Sequence, residues 1–174
     1  MAQTILIIGA FDTKGEEYAF LRDQITERGH RVMAVNTGVM GTTKLFPVDV
    51  EADEVARGGG GDLTALREKK DRGEAMAVMA RGAEAVVRKL FGEGRFEGII
   101  GMGGSAGTAI ITAAMRGLPI GVPKVCVSTV ASGNTSPYVG AKDVVLFPSI
   151  VDVAGINRIS RIIYSRAAGA ICGM

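Results

Sequence analysis

Ser105, Thr108 and the glycines around them form the run Gly101-Met-Gly-Gly-Ser-Ala-Gly-Thr108, the part of the chain best suited to holding an anion. It follows the apolar Gly98-Ile-Ile and leads straight into Ala109-Ile-Ile-Thr-Ala-Ala-Met115. A strand, a turn of small residues and a helix start present unpaired backbone N–H groups to a ligand that approaches closely. The amides of Gly103, Gly104, Ser105 and Gly107 are the expected phosphate contacts. The hydroxyls of Ser105 and Thr108 either join them or cap the helix. The run fits the loose dinucleotide pattern G-x-G-x-x-G/A, but no acidic residue for a ribose occurs between Gly101 and Asp143, which argues against NAD.

Three further loops share this polar, small-residue character. Gly9-Ala-Phe-Asp-Thr-Lys-Gly15 lacks the spacing of a P-loop. Its Asp12, Thr13 and Lys14 still suit a magnesium–phosphate site, Lys14 as a point charge and Asp12 as a direct or water-mediated metal ligand. The competing reading is a solvated first helical turn. Asn36 to Gly41, with Thr37 and Gly38, is the second loop. The third runs from Ser128 to Thr135, and its Ser128, Thr129, Ser132, Gly133, Asn134 and Thr135 either meet sugar hydroxyls and phosphate or form ordinary side-chain turns. No catalytic residue emerges. His30 is the only histidine, no G-x-S-x-G elbow is present, and Asp152 reads as a helix-start residue.

Strands and helices must bring these loops together. Thr4-Ile-Leu-Ile-Ile8, Arg31 to Val35, Gly98-Ile-Ile100, Lys124-Val-Cys-Val127 and Val144 to Phe147 are short apolar runs typical of buried parallel strands. Helical spacing marks Glu16 to Arg28 through Tyr18, Leu21 and Ile25. It also marks Glu74 to Phe91, where Met76, Met79, Ala83, Val86 and Leu90 share a stripe read as core or subunit interface. A last helix is expected from Val153 to Ala170, with Ile156, Ile159, Ile163 and Ala167 on one face. The alternation predicts a Rossmann- or flavodoxin-like, doubly wound and mostly parallel sheet of about five strands, with helices on both faces. In the strand order 2-1-3-4-5, all four loops lie along one edge, where such folds bind ligands. Residues 1–174 read as one nucleotide-binding domain. Within it, residues 39–73 are expected as a long loop or lid, with Val48-Asp-Val50 as a short edge strand or extended segment and Gly58 to Gly61 as its most flexible part.

Composition excludes several alternatives. The chain has 174 residues, 47% of them hydrophobic, which suffices for one good core. A net charge of +2 with the signs mixed, no Trp and few aromatic residues give no footprint for nucleic acid. Cys126 sits in an apolar run and is expected as a buried free thiol. No apolar stretch is long enough to span a bilayer and no basic leader precedes the first strand, so the expectation is a cytoplasmic protein with no membrane partner.

Taken together, Gly9-Ala-Phe-Asp-Thr-Lys-Gly-Glu16, Gly101 to Thr108, Ser132-Gly-Asn-Thr135 and Val151-Asp-Val-Ala-Gly-Ile-Asn-Arg-Ile-Ser-Arg161 are far more specific than any one of them. With Ala167 to Met174 they make nearly the whole chain resemble the first half of the tomato mosaic virus resistance protein-like ATP-binding domain family. The resemblance implies ATP binding with magnesium on a Rossmann-like domain that forms a homodimer. It also implies a separate C-terminal, TIM-barrel-like half. The expected function is therefore an ATP-binding module of a larger enzyme or regulatory assembly. Two alternatives stay open: an enzyme domain acting on a small phosphorylated or carboxylated metabolite, and a protein-interaction module using residues 39–73.

Overall fold

A computed structural model describes residues 1–174. The apolar runs form five parallel strands: Thr4–Gly9 (β1), Arg31–Asn36 (β2), Gly98–Gly103 (β3), Lys124–Ser128 (β4) and Val145–Pro148 (β5). They lie in the order β2-β1-β3-β4-β5, as expected. Side chains alternate between the two faces. Leu6, Ile8, Met33, Val35 and Ile99 point into one apolar layer, and Ile5, Ile7, Ala34, Ile100 and Val125 into the other.

Gly15–Thr26 (α1) covers the second of these faces through Tyr18, Leu21 and Ile25. The first face is covered by Ala52–Gly58 (α2), Leu63–Lys69 (α3), Arg72–Gly92 (α4) and Ser105–Arg116 (α5). Ser136–Val139 (α6) is a single turn, and Arg158–Gly173 (α7) joins α1 on the second face. Helices thus sit on both faces of a doubly wound α/β sheet.

Residues 39–73 depart from the expected loop. They contain α2 and α3, whose Val55, Ala56, Leu63 and Leu66 are buried in the larger core cluster. The expected edge strand reduces to one bridge between Val50 and Val35. Gly58, Gly59 and Gly61 are packed against α4, while Gly60 takes a turn conformation at φ +78°. A Cβ on Gly59 would meet the Val78 carbonyl oxygen at 2.0 Å, and one on Gly82 would meet that of Val55 at 1.8 Å. These two positions let α2 and α4 touch backbone to backbone.

The last helix also differs. It starts at Arg158, where Asn157 accepts from the Ile159 and Ser160 N–H groups and Ser160 Oγ accepts from the Asn157 N–H. Gly155, at φ +76°, interrupts the stretch that periodicity alone reads as helical. The buried face is consequently Ser160, Tyr164, Ala167, Ala168 and Ile171, while Ile159 is 39% exposed. Asp152 lies in the loop between β5 and α7 instead of starting a helix.

Two polar groups are buried to hold the sheet. Tyr18 Oη donates to the Ile8 carbonyl (2.6 Å) and accepts from the Met102 N–H (2.6 Å), joining β1 to β3 at the end of their pairing. Burial pushes its hydroxyl pKa well above the usual value. Lys124 is fully buried, and its ammonium donates to the Pro119 and Val122 carbonyls and to Asp143 Oδ1 at 2.8 Å. Cys126 is a buried free thiol, as expected, with its pKa pushed up to about 12 by burial.

Candidate functional site

β1 and β3 are neighbours, but the chain leaves them toward opposite faces, into α1 and α5. The crevice between their C-terminal ends is the switch point of the sheet. A cavity of about 550 Å³, lined mostly by polar residues and glycines, opens there. Its walls include Asp12, Thr13 and Lys14 after β1, Thr37 and Gly38 after β2, and Gly104, Ser105 and Gly107 after β3. Three of the four expected loops therefore meet in one place.

The turn from β3 into α5 is as short as a turn can be. Gly104 is the N-cap, in extended conformation, and its carbonyl accepts from the Thr108 N–H at 2.8 Å. The N–H groups of Ser105, Ala106 and Gly107 belong to the first turn, which has no intrahelical acceptor for them. Gly103 is packed tightly, since its Cβ would meet Gly107 Cα at 3.0 Å. Thr108 is buried beneath the turn. Its hydroxyl donates to the Gly103 carbonyl (3.3 Å) and shares a 2.6 Å hydrogen bond with Ser128 Oγ. Thr108 and Ser128 thus brace the cradle from below and do not line the cavity.

The first loop is held by a residue that sequence reasoning passed over. Asn36, fully buried at the end of β2, accepts from the Phe11 N–H (3.1 Å) and the Gly38 N–H (2.8 Å) through Oδ1. Its amide donates to the Gly41 carbonyl (2.9 Å) and to Glu51 Oε2 (3.0 Å). One side chain thereby sets both loops. Asp12 packs on Gly38, where a Cβ would lie 2.3 Å from Asp12 Oδ1. Asp12 Oδ2 accepts from the Met40 N–H (2.9 Å), and Oδ1 is buried with no hydrogen-bond partner. Lys14 is half-buried and donates to the Val153 carbonyl. Glu17, buried in the first turn of α1, accepts from the Gly155 N–H at 2.5 Å. Together Lys14 and Glu17 fasten the β5–α7 loop over the first loop and bring Asp152 to the cavity wall.

The fourth loop only partly joins. Thr129 and Ser132 line a neighbouring polar cavity of about 520 Å³ with Ser149 and Asp152, and Asp152 belongs to both cavities. Gly133 and Asn134 are exposed and Thr135 is half-buried, all three outside both cavities, and Asn134 Oδ1 accepts from the Ser136 N–H in a local turn. Arg72, at the first position of α4, lines the cavity although the sequence places it in a stretch of mixed charge. The signal lay in Asp71 and Glu74: Asp71 caps the helix by accepting from the Glu74 N–H, which projects Arg72 at the helix start.

Such a crevice, with a glycine turn opening a helix at the switch point, defines a Rossmann-like α/β domain whose loops are arranged around one cavity. The chain belongs to the uncharacterised protein family UPF0261, whose N-terminal domain matches residues 3–174. It is 48% identical to a UPF0261 protein of Clostridium tetani over 174 residues, all of this chain and 43% of that protein. It is 44% identical to a UPF0261 protein of Mesorhizobium japonicum over 98% of this chain and 42% of the relative. The ToMV susceptible protein tm-1(GCR26) of Solanum lycopersicum is 40% identical over 98% of the chain, which is 24% of that protein. The resemblance drawn from the motifs is borne out, and the chain spans less than half the length of these relatives.

Proposed function

We propose that this domain binds ATP, with its phosphates on the first turn of α5 and its charge met by Lys14 and Arg72. The observation that carries the reading is the polar cavity where the free amides of Ser105, Ala106 and Gly107 face a wall bearing both cations. Thr13, Thr37 and Gly38 border the same space. No group of three or more His, Cys, Asp or Glu side chains could hold a metal alone. Two carboxylates, Asp12 and Asp152, nevertheless lie on the wall, and the Asp12 oxygen without a partner suits a cation. Magnesium commonly binds through one or two carboxylates, waters and phosphate oxygens. Asp12 and Asp152 would hold it, and it would supply charge neutralisation to the polyphosphate.

The domain serves as one module of a longer assembly, working with a TIM-barrel-like half and a second copy of itself. Both partners come from the family resemblance, and the greater length of the bacterial relatives supports the first. The test is thermal unfolding with ATP, ADP, GTP, NAD and phosphate, each with and without magnesium. A ligand at 100 times its Kd adds about 2.7 kcal/mol, which raises Tm by about 5–11 °C for a chain of this size. A magnesium-dependent shift selective for ATP supports the reading. A shift with phosphate alone and no gain from any nucleotide favours the small-metabolite alternative.

A further inference from the structure

Beside the polar cavity lies an apolar one of about 370 Å³, framed by α3, the start of α4 and α5. Leu66, Ala75, Met76, Met79 and Ile110 form its walls. Val39, Met40 and Arg72 line both cavities, so the two adjoin. Its rim carries Arg67, Lys70 and Arg72 against a single carboxylate, Asp71. Arg67 Nε donates to the Val39 carbonyl and holds the shared wall in place. Arg72 takes part in none of the ion pairs of the chain and lines both spaces.

We infer that the apolar cavity receives the base of a nucleoside polyphosphate, so that one ligand spans both cavities. The inference rests on the proposed ATP binding and adds where the base sits and which class of anion is selected. A flat base has apolar faces that methionines accommodate by adjusting their unbranched side chains. A planar guanidinium stacks on a ring and pairs with phosphate, which suits the place of Arg72 where base and phosphates would meet. Small-molecule sites commonly combine mostly apolar walls with a few convergent polar groups, and the joined cavities have that composition. A compact phosphorylated metabolite would fill only the polar half and leave the apolar walls unused. The methionines that sequence periodicity assigns to a core stripe thus divide their roles: Met79 is buried, while Met76 is half-buried at the cavity.

Titration calorimetry of the full chain with ATP and with inorganic tripolyphosphate, both with magnesium, tests this. The expected result is ATP binding at least tenfold tighter than tripolyphosphate. Ala75→Phe, which fills the cavity, brings ATP down to the tripolyphosphate level and leaves tripolyphosphate unchanged. Met76→Ala, which removes a wall without adding volume, weakens ATP several-fold and again spares tripolyphosphate. Equal affinity of both ligands for the unsubstituted chain overturns the base placement alone. Binding of neither ligand overturns the nucleotide reading and this inference with it.

Discussion

Asn36 shows how much one side chain can decide. Its four hydrogen bonds come from a fully buried amide and fix the loops after β1 and β2. Asn36→Leu leaves buried backbone groups unpaired and is expected to cost about 3 kcal/mol in urea unfolding. Tyr18→Phe strands the Met102 N–H and is expected to cost about 1–3 kcal/mol by the same measurement. Gly104→Val behaves differently. A Cβ there meets only Thr129 Oγ1, at 3.7 Å, and the backbone is already extended. Stability should stay within about 0.5 kcal/mol, as at surface positions, while ATP affinity falls at least tenfold by calorimetry, because the side chain would occupy the cavity. An unchanged affinity would move the phosphates elsewhere. Asp12, Lys14 and the glycines were legible in the sequence because their types announce charge and close approach. Asn36 and Arg72 were not, since a buried amide or a helix-start arginine acquires its role only from what the fold sets beside it.

Among the elements, α4 and α7 make opposite points. The stripe on α4 was readable from spacing, as Met79, Ala83, Val86 and Leu90 are all buried. What spacing cannot reveal is that Gly82 lies on the contact with α2. Gly82→Ala pushes a Cβ into the Val55 carbonyl and is expected to cost about 1–3 kcal/mol in denaturant unfolding. Gly92→Ala, at the end of the same helix with nothing within 4 Å, should be neutral or slightly stabilising. Spacing alone places the start of α7 too early, because apolar residues at helical intervals continue back through Ile156. The conformation of Gly155 and the reciprocal hydrogen bonds of Asn157 and Ser160 override that pattern. Asn157→Ala removes the cap and should cost about 1 kcal/mol. The helices α2 and α3 leave no readable period in the sequence because each has only seven residues.

At the scale of the molecule, strand order and layering followed from the alternation of apolar runs with helical stretches, which only a few topologies accommodate. The ion pair at the base of β4 gives the whole domain a pH response. The Lys124 ammonium, with help from the Gly121 N–H, holds the Asp143 carboxyl below the usual carboxylate range. A carboxyl with a lowered folded-state pKa stabilises the fold above its unfolded value, near 3.9, and loses that contribution as pH falls through the folded value. Stability measured from pH 6 downward should therefore drop on the acid side, and Asp143→Asn should flatten that drop while lowering the plateau. No two neighbouring strands of this sheet are joined by a hairpin; every pairing waits for a helix to cross over. During synthesis β1 and β2 emerge early, whereas β3, the other neighbour of β1, follows only after α2, α3 and α4. At about 5–20 residues per second on a ribosome, one flank of β1 stays bare for several seconds. The nascent chain of this fold therefore exposes an apolar, half-paired strand long before the crevice it is built around exists.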